Sequence, residues 1–380
     1  MGNFFEYFEN NPFTNNNINK QTINENNKEI NNNEKKQNLR PPISYPINIE
    51  KFKIIDNFLE FIKINDIYCD SPYCIFNAID SILYIIYKKG RSIISYNLYQ
   101  FQTITTIKNI QGKILTIKHC SDKINKRDLI ITSKIEETNL EIWDFKNWEC
   151  IFSIKKVTPY YIIPCFLNVN NNIYIITTNN INTKNNLDSF FQFIYLYDLN
   201  GNRLNIINEE ENTLNRTYII DIYYDKKSNK NYIITCNKND IKSYDYNENK
   251  IYHIFYETNN DYHNYFFIYE KNENETLLFE SSLTGIIRIW NFHNGLLINK
   301  IDSINDNVYS ICLWDEKYLF VGCIDENYSL KIINLDNSEI IGEMETNKCI
   351  FNVKKIICPD LGECLLTLDH YELILWIKMN

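Results

Sequence analysis

Histidine, cysteine and carboxylate side chains are the residues of this 380-residue chain that could catalyse a reaction or bind a metal. No two histidines have the helical i, i+4 spacing of a zinc hydrolase. The Gly-x-Ser-x-Gly elbow, the phosphate-binding loop and the dinucleotide glycine fingerprint are all missing, and the chain has only 9 glycines. The sequence therefore predicts a non-enzymatic protein with no catalytic residue, cofactor site or metal ligand. The scattered histidines are His119, His253, His263, His293 and His370.

The 11 cysteines do not form a recognisable metal-binding pattern. Two close pairs, Cys69 with Cys74 and Cys358 with Cys364, have no matching pair of histidines nearby. A long chain with this many cysteines and no signal peptide is typical of a reducing compartment, so we expect a cytoplasmic protein, with the nucleus as the alternative. Four cysteines in apolar strand contexts are predicted to be small buried side chains: Cys165, Cys236, Cys312 and Cys323.

Charge and hydropathy limit the kinds of partner. The net charge is −9 and the pI is about 5.3, and the few Lys-Lys pairs are isolated. A nucleic-acid-binding surface would need a basic stripe, so we expect no direct contact with nucleic acid. No apolar run approaches 18 residues, and none is predicted to span a membrane. Other proteins or peptides, within a multiprotein complex, remain the expected partners.

Residues 276–301 contain the clearest structural pattern in the chain. The segment TLLFES alternates apolar and polar residues like a strand, and Gly285 follows in a turn that favours a positive φ. IIRIWNF is the next strand, with Arg288 on a different face from Ile287 and Ile289. Asn294-Gly295 predicts a hairpin to LLINKI. Three such strands cannot bury both of their faces alone, so the pattern needs stacked neighbours of the same kind.

Weaker copies of this pattern occur along most of the chain. Each has a polar residue after the last aromatic or apolar residue of its third strand, and these polar residues are 43 to 54 positions apart. One propeller blade takes roughly 40–45 residues. The last copy, ELILWIK, has Ile377 at the polar position. The six polar corner residues are Asn97, Asp144, Asp198, Asp245, Asn291 and Asn334.

From about residue 49 to residue 380, the chain resembles the WD-repeat β-propeller family, most clearly at IWDF (142–145) and IWNF (289–292). The family's Gly-His pair before each blade is missing. The resemblance implies an all-β fold, a single closed β-propeller of seven four-stranded blades, over 46–380. It also implies that Trp143, Trp290 and Trp376 are structural residues packed between blades. The aspartates at the blade corners are expected to accept N–H groups of the following turn.

Three segments complete this organisation. Residues 1–45 are rich in Asn and polar residues and are predicted to be a disordered tail, in which Asn11-Pro12-Phe13 is similar to a tripeptide that endocytic adaptors bind. The strand at 58–64 is expected to complete the last blade as its outermost strand and so to close the ring. The insertion at 179–192 is predicted to be a loop whose Phe190 and Phe191 either anchor a partner or fold back.

The predicted function is a protein–protein interaction scaffold that presents partners on one face of the ring. Loops around a rigid ring can hold several partners, and Tyr and Arg dominate binding at interfaces. The candidate partner-binding residues lie near the starts of the first strands, where they could instead pack within the ring. They are Tyr73, Tyr160, Arg216, Tyr262, Tyr265, Asn307 and Tyr309.

An alternative function comes from the second blade. IITS (130–133) and LEIWDFK (140–146) resemble the box by which some WD-repeat proteins dock onto cullin–RING ubiquitin-ligase adaptors. The box ends in Trp-Asp-apolar-Lys, which would make Trp143, Asp144 and Lys146 adaptor-docking residues of a substrate receptor. Lys134 and a one-residue insertion before Leu140 depart from the pattern, and ordinary blade packing can produce most of it.

Overall fold

The computed structural model describes residues 51–53, 60–68, 70–100, 102–108, 112, 114–134, 140–154, 164–182, 190–208, 219–237, 240–257, 263–324, 330–344, 349–358, 361–369 and 372–379. These residues form 29 strands in seven antiparallel sheets, and none of them lies in a helix. The predicted seven-bladed, all-β propeller is confirmed. The predicted tail at 1–45, including Asn11-Pro12-Phe13, lies outside the described residues.

Each of the first three blades has four strands, in chain order from the channel outwards. Blade one contains β3 (Asp70–Asn77), β4 (Leu83–Lys89), β5 (Ser92–Asn97) and β6 (Gln102–Ile107). Blade two contains β7 (Ile114–Asp122), β8 (Arg127–Lys134), β9 (Leu140–Asp144) and β10 (Cys150–Ile154). Blade three contains β11 (Pro164–Val169), β12 (Asn172–Asn182), β13 (Phe190–Asp198) and β14 (Arg203–Asn208).

Blades four to six repeat this order. Blade four contains β15 (Ile219–Asp225), β16 (Lys230–Cys236), β17 (Ile241–Asp245) and β18 (Lys250–Phe255). Blade five contains β19 (His263–Asn272), β20 (Glu275–Ser282), β21 (Ile287–Asn291) and β22 (Leu297–Ile301). Blade six contains β23 (Val308–Trp314), β24 (Tyr318–Cys323), β25 (Leu330–Asn334) and β26 (Glu339–Met344).

Blade seven combines both ends of the described chain. Its first three strands are β27 (Asn352–Cys358), β28 (Gly362–Leu368) and β29 (Glu372–Met379), and β29 pairs with β2 (Glu60–Tyr68). The expected closure by an N-terminal strand is confirmed. That strand is not outermost, however, because β1 (Lys51–Lys53) pairs along its free edge and makes this blade five-stranded.

Seven apolar clusters hold the ring together, and each is shared by two neighbouring blades. The cluster that closes the ring joins Ile85 and Tyr87 of blade one to Leu366 and Leu375 of blade seven. The other six join blades one and two, two and three, three and four, four and five, five and six, and six and seven. Both faces of each sheet are therefore covered by a neighbouring blade.

The polar corner residues fix the turn after the third strand in six blades, as expected. Each accepts a hydrogen bond from the backbone N–H two residues later, an Asx-type turn. The donor–acceptor distance is 2.9 Å at Asp144, Asp198 and Asp245. The same bond is made at Asn97, Asn291 and Asn334, over 2.8 to 3.0 Å.

Tryptophan side chains bridge the second and third strands within their own blades. The indole N–H of Trp143 donates to Thr132 over 3.2 Å, and that of Trp376 donates to Thr367 over 2.9 Å. Trp376 is fully buried in the cluster between blades six and seven, and Trp143 packs in the cluster between blades one and two.

Both ends of the insertion in blade three extend strands, although the whole of 179–192 was predicted to be a loop; residues 183–189 lie outside the described residues. β12 and β13 continue as a paired hairpin as far as Asn182, which lies opposite Phe190. Phe191 pairs with Ile181 in the same ladder. Both phenylalanines thus belong to β13, and the described part of the insertion lengthens the second and third strands of the blade.

Blade five carries a buried charge network where the other two blades with a tryptophan in the third strand have threonine. The Trp290 indole N–H donates to Glu280 over 2.9 Å, and Arg288 donates to the same carboxylate over 2.8 Å. Glu280 and Arg288 are fully buried. Glu257 accepts a second bond from Arg288 over 2.7 Å. Because every charge has an opposite partner, the network avoids the cost of an unpaired buried ion.

We expect Arg288→Ile to lower the free energy of unfolding by roughly 3–5 kcal/mol, because it leaves the Glu280 carboxylate buried without its guanidinium. The double variant with Glu280→Thr should recover most of this loss, because it installs the pair that blade seven holds at the equivalent place, Thr367 opposite Ile374. Urea unfolding of both variants measures the difference. Equal losses in the single and double variants would contradict this account of the network.

Candidate functional site

The channel at the centre of the ring and the face where the first strands begin form the candidate site. A cavity of about 840 Å³ occupies the channel. Tyr73 of blade one and Tyr265 of blade five both line it. Burial raises the pKa of the Tyr265 hydroxyl, so this phenol is neutral and can act as a hydrogen-bond donor. The structure thus brings two of the predicted partner-binding tyrosines to one cavity.

A close backbone contact positions the segment that precedes blade six. Gly285 has a φ of +86°, as its place in a turn predicted, and a Cβ there would lie 2.7 Å from the Asp306 carbonyl oxygen. Only glycine lets the two segments approach so closely. The Asn264 amide of blade five also donates to the Val308 carbonyl over 2.8 Å. Asn307 lies between these two contacts, so its backbone is fixed while its side chain is exposed.

Tyr309 contributes an aromatic contact between blades six and seven at the same face. Its ring packs edge-to-face against Phe351, with the ring centroids 5.3 Å apart. Both rings are half-buried, so each offers an edge to solvent while the contact holds its orientation. Phe351 was not among the residues predicted from the sequence. Its place just before a first strand, like that of Asn307, is the signal that could have identified it.

The remaining predicted partner-binding residues, Tyr160, Arg216 and Tyr262, lie outside the described residues. A role in partner binding stays a prediction for all seven. Of the four that are described, Tyr73, Tyr265 and Tyr309 are half-buried and pack within the ring, and Asn307 alone is exposed.

The strand registers define a set of residues that we call the channel tier. Each of these residues lies on the first strand of its blade. It faces, across the second strand, the third-strand residue that comes two positions before the corner residue. Sequence reasoning missed this set, because only register aligns the blades closely enough. The tier comprises Cys74, Lys118, Cys165, Asp221, Phe267, Cys312 and Lys354.

The three thiols of the channel tier are protonated at neutral pH. Burial raises the pKa of Cys74 and Cys312 to about 11 and that of Cys165 to about 12. A thiol with so high a pKa is a poor nucleophile and a poor metal ligand. The predicted burial of Cys165 is confirmed, whereas Cys312 is only half-buried and lines the cavity.

Lysine 118 keeps its charge in the channel. Burial alone would lower its pKa, but the Asp221 carboxylate of blade four raises it above the ordinary value. Lys354 of blade seven lies on the other side of Cys74, and the positive charges of both lysines act on that thiol. Lys118, Cys74 and Lys354 line the same cavity. Two ammonium groups therefore flank one neutral thiol donor.

His119 supports the channel wall between blades one and two. Its ring stacks on Phe76 with the centroids 3.8 Å apart, and its Nε2 lies 2.7 Å from the Asp128 carboxylate. Asp128 also accepts the Ile79 backbone N–H of blade one over 2.9 Å. The carboxylate therefore joins the two blades at the end of the channel away from the first-strand starts.

Two of the three proposed adaptor-docking residues in blade two, Trp143 and Asp144, make contacts within the ring. Trp143 bonds to Thr132, and Asp144 caps its own turn. Phe145 packs on Tyr84 with centroids 4.8 Å apart, and Lys146 is exposed. Docking of an adaptor stays a prediction, because these contacts account for the pattern of residue types at Trp143 and Asp144.

Among the described residues, no three His, Cys, Asp or Glu side chains are grouped closely enough to hold a metal ion. A search of the same residues finds no helix with the length and apolarity that a membrane span requires.

Comparison with known proteins shows the fold of this chain. No family model matches it, and no curated protein matches it. A matching solved structure is the crystal structure of Raptor from Chaetomium thermophilum, with a TM-score of 0.62 at 10% sequence identity. The match covers 87% of this chain and 30% of that one. At this identity the similarity is one of fold alone.

The contact at Asp128 predicts a pH dependence of stability. Burial would raise the pKa of this carboxyl, but hydrogen bonds from His119, Ser121 and the Ile79 N–H lower it below its ordinary value of 3.8. Its contribution, on the order of 1 kcal/mol, is therefore present above about pH 4 and lost as the pH falls through the lowered pKa.

We expect Asp128→Asn to reduce stability at pH 6 but to bring the variant closer to the wild type near pH 3, because the wild-type contribution declines as the pH falls below about 4 towards the lowered pKa. Urea unfolding at the two pH values measures the gap between the proteins. A gap that is the same at both values would show that the ionised carboxylate does not stabilise the ring.

Proposed function

We propose that this chain is a non-catalytic scaffold of the WD-repeat type, which binds protein or peptide partners on the face where the first strands begin. The observation that carries the proposal is the arrangement of exposed and half-exposed side chains on a fixed backbone at that face. Asn307 is held between two inter-blade contacts, and Tyr309 and Phe351 offer aromatic edges beside it. Rigid aromatic and amide groups bind a partner with little loss of conformational entropy.

The WD-repeat assignment draws its support from chemistry that recurs between blades. Six corner residues cap the turn after the third strand, and two tryptophans bond to a threonine of the second strand. In blade five, His263 lies 2.5 Å from the Glu280 carboxylate that also accepts the Trp290 indole. A histidine thus joins the network of that blade although the Gly-His pair is missing from the sequence.

The net charge of −9 favours a protein partner over a nucleic acid, because phosphate backbones are bound by basic surfaces. The compartment that we propose is the cytoplasm, with the nucleus as the alternative, on the grounds of the many free thiols. None of the ten described cysteines forms a disulfide, and reduced thiols persist in a reducing environment.

A charge placed at the proposed face should disrupt partner binding without unfolding the ring. We expect Asn307→Glu to reduce capture of the partners that wild-type protein purifies from its native cells by about tenfold or more, which is the effect of a hot-spot substitution. Quantitative mass spectrometry of the purified complexes, with a melting temperature for each variant, measures this.

Asn274→Glu is the matched control. Asn274 lies in the exposed turn between β19 and β20, at the opposite end of the ring from the first-strand starts. The control should retain the partners. Retention of all partners by Asn307→Glu at an unchanged melting temperature would remove this face as the binding site, and equal losses in both variants would assign the effect to charge alone.

A further inference from the structure

The channel tier holds two cationic groups that the protein itself does not neutralise by contact. Within the described part of the chain, neither the Lys118 nor the Lys354 ammonium lies within ion-pair distance of a carboxylate or makes a hydrogen bond. Lys355, the next residue on the same strand, is by contrast paired with Asp315 over 2.8 Å and with Glu363. Elsewhere in the ring, the buried Arg288 is likewise fully paired.

The two lysines share one site because of the order of the blades. Lys118 belongs to blade two and Lys354 to blade seven, and both of these blades flank blade one, which contributes Cys74. The three side chains line the same cavity at the same height on their strands. Two positive charges held on a rigid wall repel each other, and an anion between them would remove the repulsion.

Neutral hydrogen-bond donors line the cavity beside these charges, and its two lining carboxylates, Asp315 and Glu316, follow the end of β23. The Cys74 thiol lies between the lysines. Asn352 and Tyr265 also line the cavity, each two residues closer to the start of its strand than the channel-tier residue of the same blade. Ammonium, amide and phenol donors converging on a partly desolvated space are the groups that bind oxyanions, because charge-assisted hydrogen bonds gain strength there.

We propose that the central channel binds a small soluble anion of the phosphate class, with the ammonium groups of Lys118 and Lys354 as its charged ligands. An anion with at least two negative charges suits the pair, because it can face both ammonium groups at once. Asp221 limits the site, since its carboxylate opposes a second anion beside Lys118. The observations that support this site are separate from those that support the partner-binding face proposed above.

Pyrophosphate is the probe that we would use first, with inorganic phosphate and citrate for comparison, on the full 380-residue chain. A ligand that binds only the folded state raises the melting temperature with its concentration. We expect pyrophosphate to raise the melting temperature above that in sodium chloride of equal ionic strength. Isothermal titration calorimetry should give one bound pyrophosphate per chain. A larger effect of citrate than of either phosphate would overturn the assignment to the phosphate class.

Variants that remove one positive charge from the site should weaken pyrophosphate binding. Lys118→Gln and Lys354→Gln should each weaken pyrophosphate binding by about tenfold or more, the loss expected for one charge-assisted bond. Lys226→Gln is the matched control for overall charge, since Lys226 lies in an exposed turn, and it should bind as the wild type does.

The melting temperatures without anion separate folding defects from lost binding. Neither lysine belongs to the ion pairs within and between blades described above, so both glutamine variants are expected to fold and remain testable. The proposal is overturned if pyrophosphate gives no more stabilisation than sodium chloride. It is equally overturned if the Lys118→Gln, Lys354→Gln double variant binds as tightly as Lys226→Gln.

Discussion

Apolar contact between neighbouring blades is the interaction on which the rest of this structure depends. A four-stranded antiparallel sheet normally leaves one face in water, but here each blade is covered on both faces by its neighbours, in seven shared clusters. The cluster between blades one and seven closes the ring, and β2 crosses to the same last blade and pairs with β29.

Burial on both faces changes the meaning of a polar residue in a strand. Alternation along IIRIWNF suggests that Arg288 faces solvent, yet its side chain is fully buried. The charge is tolerated because Glu280 and Glu257 pair with it. Where blade seven has Thr367 and Ile374 at the same positions, no charge needs a partner. The blades therefore solve one packing problem with two different side-chain chemistries.

Much of this fold was predictable from the spacing of six corner residues, because an Asx turn recurs in six blades at about the length of a propeller blade and between segments that alternate like strands. The extra strand β1 was not predictable, since three residues without periodicity give no signal.

The channel tier could not be predicted from the sequence either. Bulges near the start of the first strands of blades one, two, five and six shift the register there. A shift of one residue reverses which face a side chain occupies. The sequence could therefore name Tyr73, Tyr265 and Tyr309 but not orient them.

The same short strands carry both proposed sites, which constrains how they can influence each other. Cys74 directly follows Tyr73, and Lys354 lies two residues beyond Asn352, a rise of roughly 6–7 Å along a strand. The ring offers little room for movement over that distance, because each first strand is fixed by its sheet and by two neighbours. Any coupling between an anion in the channel and a partner on the face would therefore be electrostatic: neutralising two ammonium groups below the entrance makes that face more negative. A bound anion would then raise the affinity of the face for a cationic partner. By reciprocity, the bound partner would raise the affinity of the channel for the anion by the same factor.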